Sequence, residues 1–336
     1  MGLQIGNIVP RKSIEISDLK GKTIAVDAFN TIYQFLSTIR QPDGTPLMDK
    51  RGRVTSHLSG LFYRNISLLR EGIKLIYVFD GKMPKLKKGT QDKRQETKDI
   101  AFEKYQIAKS EENTEQMGKY AKQTASLDEE KISESKELLE AMGIAVIQAP
   151  GEGEAQAAYL SQKKDVYAAA SQDYDSLLFG SPLLIQNLTL ARKRKTVSGY
   201  ISIGPELIEL EKVLNTLQIN HEQLICLGIL SGTDYNPGGV KGIGPKKALS
   251  LVRTRKAPAL IFKQIPEQEM DFDWQEIFQL FKKPDVTKGI KLKFPKINQE
   301  KIKKILLEHD FSEERIDSAL NKLKEAKEQA KQKTLF

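Results

Sequence analysis

Sulfur chemistry is all but absent from this chain, since its 336 residues include one cysteine, Cys226. No intrachain disulfide can form, and Cys226, set in the apolar run LICLGIL, reads as a small buried hydrophobe. That usage suits a reducing cytoplasm, which is the expected location. Histidine is equally scarce. His57, His221 and His309 have no zinc-like spacing, which removes the common zinc motifs and leaves each histidine a structural or surface role. No apolar run approaches the length needed to span a bilayer, and the opening MGLQIGNIVPRKS lacks the continuous hydrophobic stretch of a signal peptide. A soluble monomer without membrane contact is expected. No internal repeat is visible.

What the chain does contain is charge and a sufficient core. Hydrophobic residues make up 39%, and Lys+Arg 53 against Asp+Glu 44 gives a formal net charge of +9. The excess favours a polyanionic partner without establishing one. Short apolar runs rich in β-branched residues, TIAVDA (23–28), KLIYVFDG (74–81), IAVIQAP (144–150) and VYAAASQD (166–173), read as buried strands that alternate with helical stretches. This pattern implies an α/β fold on a mostly parallel central sheet flanked by helices. From Lys82 to about Lys131 the chain is charged and nearly free of Val, Ile and Leu. Such a stretch cannot be core, and its Lys, Glu and Gln content supports helix standing off the globule.

Carboxylates fall at the ends of those strands. Asp27 closes TIAV, Asp80 closes LIYVF, Glu152 and Glu154 follow the run ending near Gln148, and Asp173 and Asp175 follow VYAAAS. In open α/β sheets that edge is where ligands bind, so acids from separate strands converge there. Asp234, after the helical run LICLGILSGT, is placed to join them. Acids so crowded repel one another unless cations neutralise them, and hard oxygen ligands select Mg2+ or Mn2+ over zinc. A single Asp at a strand end is usually a helix cap, but Glu-x-Glu and Asp-x-Asp pairs beside two strand-end aspartates make coincidence a poor explanation. Two divalent ions about 4 Å apart serve in-line phosphodiester displacement, and the same chemistry suits a phosphatase.

Two further segments bear on the substrate. In GVKGIGPKKA (239–248), Gly242 and Gly244 allow backbone N–H groups to approach a phosphate while Lys246 and Lys247 neutralise its charge, the pattern of a helix-hairpin-helix. A plain Gly-Pro turn between helices is the competing reading. Directly after Asp80, residues 81–98 carry Lys82, Lys85, Lys87, Lys88, Lys93, Arg94 and Lys98 against Asp92 and Glu96. Charge runs are usually solvated faces, but this one lies at the mouth of the acid cluster.

The ordered set AVDAFNTIYQFL, TSHLSGLFYRN, YVFDGKMPKLK, APGEGEAQAAYL, SQDYDSLLFG, LSGTDYN and VKGIGPKKA, spread over nearly the whole chain, closely resembles flap endonucleases, archaeal members above all. The resemblance implies a nuclease that binds branched duplexes, cuts a 5′ single-stranded flap near the junction, and acts in replication and repair. It implies that Asp27, Asp80, Glu152, Glu154, Asp173, Asp175 and Asp234 bind two Mg2+ ions, with Mn2+ able to substitute. It also implies that Lys87 and Arg94 at the base of a helical arch steady the scissile phosphate, that Tyr33 stacks on a base near the cut, and that Gly2 lies close to the active site. Tyr33 reads otherwise as a core residue beside Phe35 and Leu36. The helix-hairpin-helix is implied to grip duplex through K+ held by loop carbonyls, and residues 30–60 to wedge the duplex arms apart. The terminal AKQKTLF resembles the start of a sliding-clamp-binding peptide through Gln332, Leu335 and Phe336, and departs from it by ending without the usual distal aromatic pair.

The expected organisation is one nuclease domain over 1–325, with an arch at about 81–130, a helix-hairpin-helix at about 220–255, and a flexible tail over 326–336. The nearest alternative activity is 5′ exonuclease action. A non-catalytic DNA-junction binding module is the alternative from a different class, and it has no need of seven converging carboxylates.

Overall fold

The computed structural model describes residues 3–41, 43–111, 113–121, 123–189, 193–196 and 199–332. A mixed sheet of seven strands forms its centre among these residues. Strands β1 (Lys12–Ser13), β2 (Thr23–Asp27), β3 (Lys74–Phe79), β4 (Ala145–Gln148), β5 (Ala168–Ala170), β6 (Leu183–Gln186) and, later in the chain, β9 (Glu206–Glu209) lie in the order β1-β9-β6-β5-β2-β3-β4. A separate antiparallel hairpin pairs β7 (Lys193–Thr196) with β8 (Gly199–Ser202). The β6-β5-β2-β3-β4 stretch is parallel, and β9 and β1 close it as antiparallel neighbours.

The central strands are buried on both faces, which is why they read as continuous apolar runs rather than alternating ones. Ile24 and Val26 join Leu75, Tyr77 and Phe79 in one core against α1 (Ala28–Thr38), α2 (Ser56–Arg70) and α5 (Glu129–Ala141). Ala25, Ile76, Val78 and Ala169 pack on the opposite face with Ala157 and Leu160 of α6 (Gly153–Gln162). All four strands read from the sequence are present. Strands β6 and β9 escape such a reading; each begins directly after a proline, a residue that usually marks a loop.

The charged stretch after Asp80 folds as α3 (Lys88–Ser110) and α4 (Thr114–Ala121). It is not wholly without a core, contrary to the sequence expectation: Ala101, Ala108, Met117 and Ala121 are buried where these helices meet. Ala101 and Ala108 stand seven residues apart on one face, and their small side chains let a polar helix pack closely.

Downstream, α7 (Asp175–Leu178) precedes β6, and α8 (Leu210–Leu217) follows β9. A second core then gathers α9 (His221–Ser231), α10 (Pro245–Thr254), α11 (Pro258–Phe262) and α12 (Trp274–Lys282), with Cys226 fully buried inside it. Helices α9 and α10 pack together and are joined by a glycine-rich loop. Gly242 has φ +75°, which a side chain would strain, and Gly244 precedes Pro245 at the first position of α10.

Helices α13 (Gln299–Leu307) and α14 (Glu313–Gln332) return to the first core. Residues 326–332, expected as part of the tail, continue α14 as helix; Ala, Lys, Glu and Gln are strong helix formers even where they bury little. Among the described residues no helix is long and apolar enough to cross a membrane.

The histidines hold elements together. His57 of α2 and His309 after α13 both contact Glu134 of α5, at 3.2 Å and 2.8 Å from Nε2. The other nitrogen of His309 lies 2.9 Å from the Ile305 carbonyl. His221 lies with Nε2 3.0 Å from the Leu177 carbonyl.

Candidate active site at the carboxylate edge

The C-terminal edge of the parallel strands collects the acids. Asp27 is the last residue of β2, Asp80 follows β3, and Glu152 and Glu154 flank the start of α6. Asp173 and Asp175 follow β5, and Asp234 follows α9. The local backbone explains part of this placement. Asp27 caps α1 by accepting from the Asn30 amide at 3.1 Å, so one side chain starts a helix and faces the cluster. Asp80 accepts from the Gly153 amide at 2.7 Å, tying β3 to the N-terminus of α6. A Cβ at Gly153 would stand 2.7 Å from Asp80 Oδ1 and 2.9 Å from the Val78 carbonyl, so the approach requires glycine.

Neutral donors orient several of these carboxylates. Asn30 Nδ2 donates to Asp173 at 2.8 Å, Ser171 to Asp27 at 3.3 Å and Ser176 to Glu154 at 3.3 Å. The Leu3 amide donates to Asp175 at 3.2 Å and brings the start of the described chain to the site. None of these donors stood out in the sequence. Asn30 carried the one usable signal, its cap spacing three residues after Asp27.

Electrostatics at the edge are dominated by like charges set close together. Burial, then repulsion from Asp80, pushes the Asp27 carboxyl well above its ordinary range. Burial raises Asp80 to about 6 and Asp175 to about 7, with neighbouring acids adding to both. Glu154 is also pushed well up, by burial and then by Asp27 and Asp175. A cation also lies within the cluster. Lys87, at the base of α3, forms ion pairs with Glu152 and, at 3.6 Å, with Asp234. Burial opposes its charge, but the carboxylates outweigh that cost and hold the ammonium protonated more strongly than usual. The all-oxygen, mutually repelling donor set suits hard divalent cations. Among the described residues, however, no three of these groups stand close enough round one point to form a ready-made ligand shell.

The remaining candidates lie outside this cluster. Tyr33 on α1 is 39% exposed, so it is not the core residue its neighbours suggested, and Lys98 of α3 lies 5.7 Å from its ring centroid. Arg94 belongs to α3, but its side chain lies outside the described structure. Lys246 and Lys247 are exposed at the start of α10, and Lys247 donates to the Gly242 carbonyl at 3.0 Å. Gly2, Leu335 and Phe336 lie outside the described residues, and Gln332 ends α14.

With this geometry in view, comparison with known proteins is decisive. Residues 4–101 match the XPG N-terminal domain and residues 143–234 the XPG I-region. "Flap endonuclease 1" of Thermococcus onnurineus is 53% identical, over 100% of this chain and 98% of that protein. The chain belongs to the flap endonuclease family. Its members are metal-dependent nucleases, and the matched regions hold all seven candidate acids. Among solved structures, flap endonuclease-1 from Methanococcus jannaschii superposes with a TM-score of 0.76 at 43% identity, covering 97% of this chain and 98% of that one. The catalytic core of Rad2 in complex with DNA substrate gives a TM-score of 0.69 at 24% identity, covering 96% and 100%, and at that identity shares the fold. The α/β fold and nuclease class expected from the sequence stand.

Proposed function

We propose that this chain is a structure-specific 5′ nuclease that hydrolyses a phosphodiester bond near the junction of a DNA flap, with accompanying 5′ exonuclease activity. The observation that carries this reading is the carboxylate edge itself: acids from β2, β3, α6, the β5–α7 turn and the loop after α9 are gathered in a partly buried cluster of like charges. A binding module would bear that electrostatic cost to no purpose.

Asp27, Asp80, Glu152, Glu154, Asp173, Asp175 and Asp234 would hold two Mg2+ ions, for which Mn2+ can substitute. When bound, such ions supply an activated water and charge stabilisation at the attacking and leaving oxygens. The chain's own groups do the rest. Asn30, Ser171 and Ser176 fix the orientation of Asp173, Asp27 and Glu154 through the hydrogen bonds described above. Lys87 and Arg94 would stabilise charge on the scissile phosphate, and exposed Tyr33 would stack on a base beside it. The α9–α10 hairpin would hold uncut duplex through Lys246, Lys247, its backbone N–H groups and a K+ ion on loop carbonyls. Gln332, Leu335 and Phe336 would give a short contact to a sliding clamp.

The test is cleavage of a labelled flap substrate in Mg2+, followed by product length. One cut near the junction is expected, with stepwise shortening of a recessed 5′ end as the minor activity. Release of inorganic phosphate alone would indicate a phosphatase, and junction binding without cleavage would indicate the binding module.

A further inference from the structure

Lys87 lies where a metal-binding cluster would be expected to hold no protein cation. Its Nζ pairs with Glu152 and Asp234, two acids from different elements, and its field reaches Asp27, Asp80 and Asp175. The third face of the ammonium is covered by an aromatic ring: Tyr235, 5% exposed, has its centroid 5.2 Å from Nζ. That ring is held edge-on to Phe281 at 5.3 Å. A partly desolvated ammonium over a tyrosine face gains cation–π energy in addition to its ion pairs. A lysine head is a compact point charge with three donors, the nearest a side chain comes to a small metal cation. A second tether lies one helical turn along α3, where Thr90 Oγ1 donates to the Asp234 carbonyl at 2.7 Å.

We propose that Lys87, seated by Tyr235, is the resident cation of the metal-free cluster, and that divalent ions must displace it from Glu152 and Asp234 before it can turn toward a phosphate. Tyr235 is on this account a positioning residue that acts through Lys87. The inference rests on the metal-ligand reading proposed above, and it couples two events that reading leaves separate. Loading of the cluster releases the Lys87 side chain, which becomes available to substrate only where the ions already are. The Thr90 tether keeps the helix base beside Asp234 through the exchange.

The experiment uses the full chain without DNA. Lysines are labelled with an amine-acylating reagent and read site by site by mass spectrometry, while Mn2+ binding is followed separately by electron paramagnetic resonance. Lys87 should be protected in the metal-free protein relative to exposed Lys246, and its labelling should rise roughly fivefold or more as Mn2+ saturates, since the ion pairs that shielded it are lost. Lys87→Met, which keeps the stem and removes the competing charge, should bind Mn2+ about tenfold more tightly. Tyr235→Leu should expose Lys87 to label before any metal is added, and Tyr235→Phe, which keeps the ring, should restore protection. A general packing defect at Tyr235 would not follow that ring-dependent pattern. Full Mn2+ loading with Lys87 still protected, or Mn2+ affinity unchanged in Lys87→Met, overturns the displacement and leaves the proposed nuclease function standing. A Tyr235→Leu protein whose Lys87 stays protected overturns the role of the ring. If Asp175→Asn leaves the Mn2+ titration unaltered, the ions do not bind this cluster, and both readings fall.

Discussion

The carboxylate edge of the sheet and the His57–Glu134–His309 group bury ionisable side chains in opposite ways. Around Glu134 one carboxylate meets two imidazoles within the fold, while among the described residues the other ring nitrogen of His57 is buried without a partner. Burial opposes the Glu134 charge, but the hydrogen bonds from His57 and His309 outweigh it and hold the carboxyl below its usual range. At the sheet edge like charges face one another with Lys87 inserted among them, and Asp27, Asp80, Glu154 and Asp175 are all pushed upward. A buried charge balanced from within joins α2, α5 and the turn after α13 and has no need of solutes. One left unbalanced is costly to the fold and implies ligands that are not part of the chain.

The same chemical change should therefore act in opposite directions at the two places. Asp175→Asn removes one carboxylate charge while keeping the acceptor for the Leu3 amide. Flap cleavage in Mg2+ should fall by roughly 10³-fold, the worth of several kcal/mol of lost charge stabilisation, while thermal melting of the metal-free protein at pH 8 should rise. Glu134→Gln should leave cleavage within about threefold and lower stability by about 1 kcal/mol, the cost of weakening a partly buried hydrogen-bonded group. Melting temperatures that move in the same direction in both variants would break the comparison.

pH separates the clusters further. A carboxyl whose folded-state pKa is raised contributes stability that is complete below its unfolded value and lost as pH rises through the folded one. Metal-free protein should thus lose the contribution of Asp80 and Asp175 between about pH 4 and pH 7, since burial lifts Asp80 to about 6 and Asp175 to about 7. Glu134, held low, has the reverse sign, and its contribution is lost as pH falls through the carboxylate range. Since divalent ions compete with protons at the edge, Mg2+ should raise the melting temperature more at pH 8 than at pH 5.5. Equal Mg2+ shifts at the two pH values would place the ions elsewhere. The smallest effect belongs to the α9–α10 hairpin, where the charges are exposed. Lys246→Ala with Lys247→Ala should weaken duplex binding about tenfold in low salt and flatten its salt dependence, with stability nearly unchanged. An unaltered salt slope would remove these lysines from the duplex contact.

Much of this was legible in the sequence because strands buried on both faces leave unbroken apolar runs, and an acid that ends such a run marks the sheet edge. Asp27 and Asp80 are the clearest cases. Pairings between distant segments were not legible. Nothing near Lys87 in the chain announces Glu152, Asp234 or the ring of Tyr235, and nothing near Glu134 announces His57 or His309. The buried alanines of α3 were hidden by the charged residues around them, because alanine carries little hydrophobic signal and its packing depends on what the neighbouring helix presents.

The strand order has a consequence for how the molecule assembles. β2, β3 and β4 are laid side by side in chain order, whereas β5 must return across them to insert on the other flank of β2, and β6 and β9 then extend that flank. Asp173, Asp175 and Asp234 thus reach Asp27 and Asp80 only through long chain closures. The mutual repulsion of the acids is therefore felt only once those closures are made and is weak before them. Relief of that repulsion, by substitution or by bound cations, should slow unfolding far more than it speeds folding, so the cations would act as a kinetic lock on a structure that formed without them.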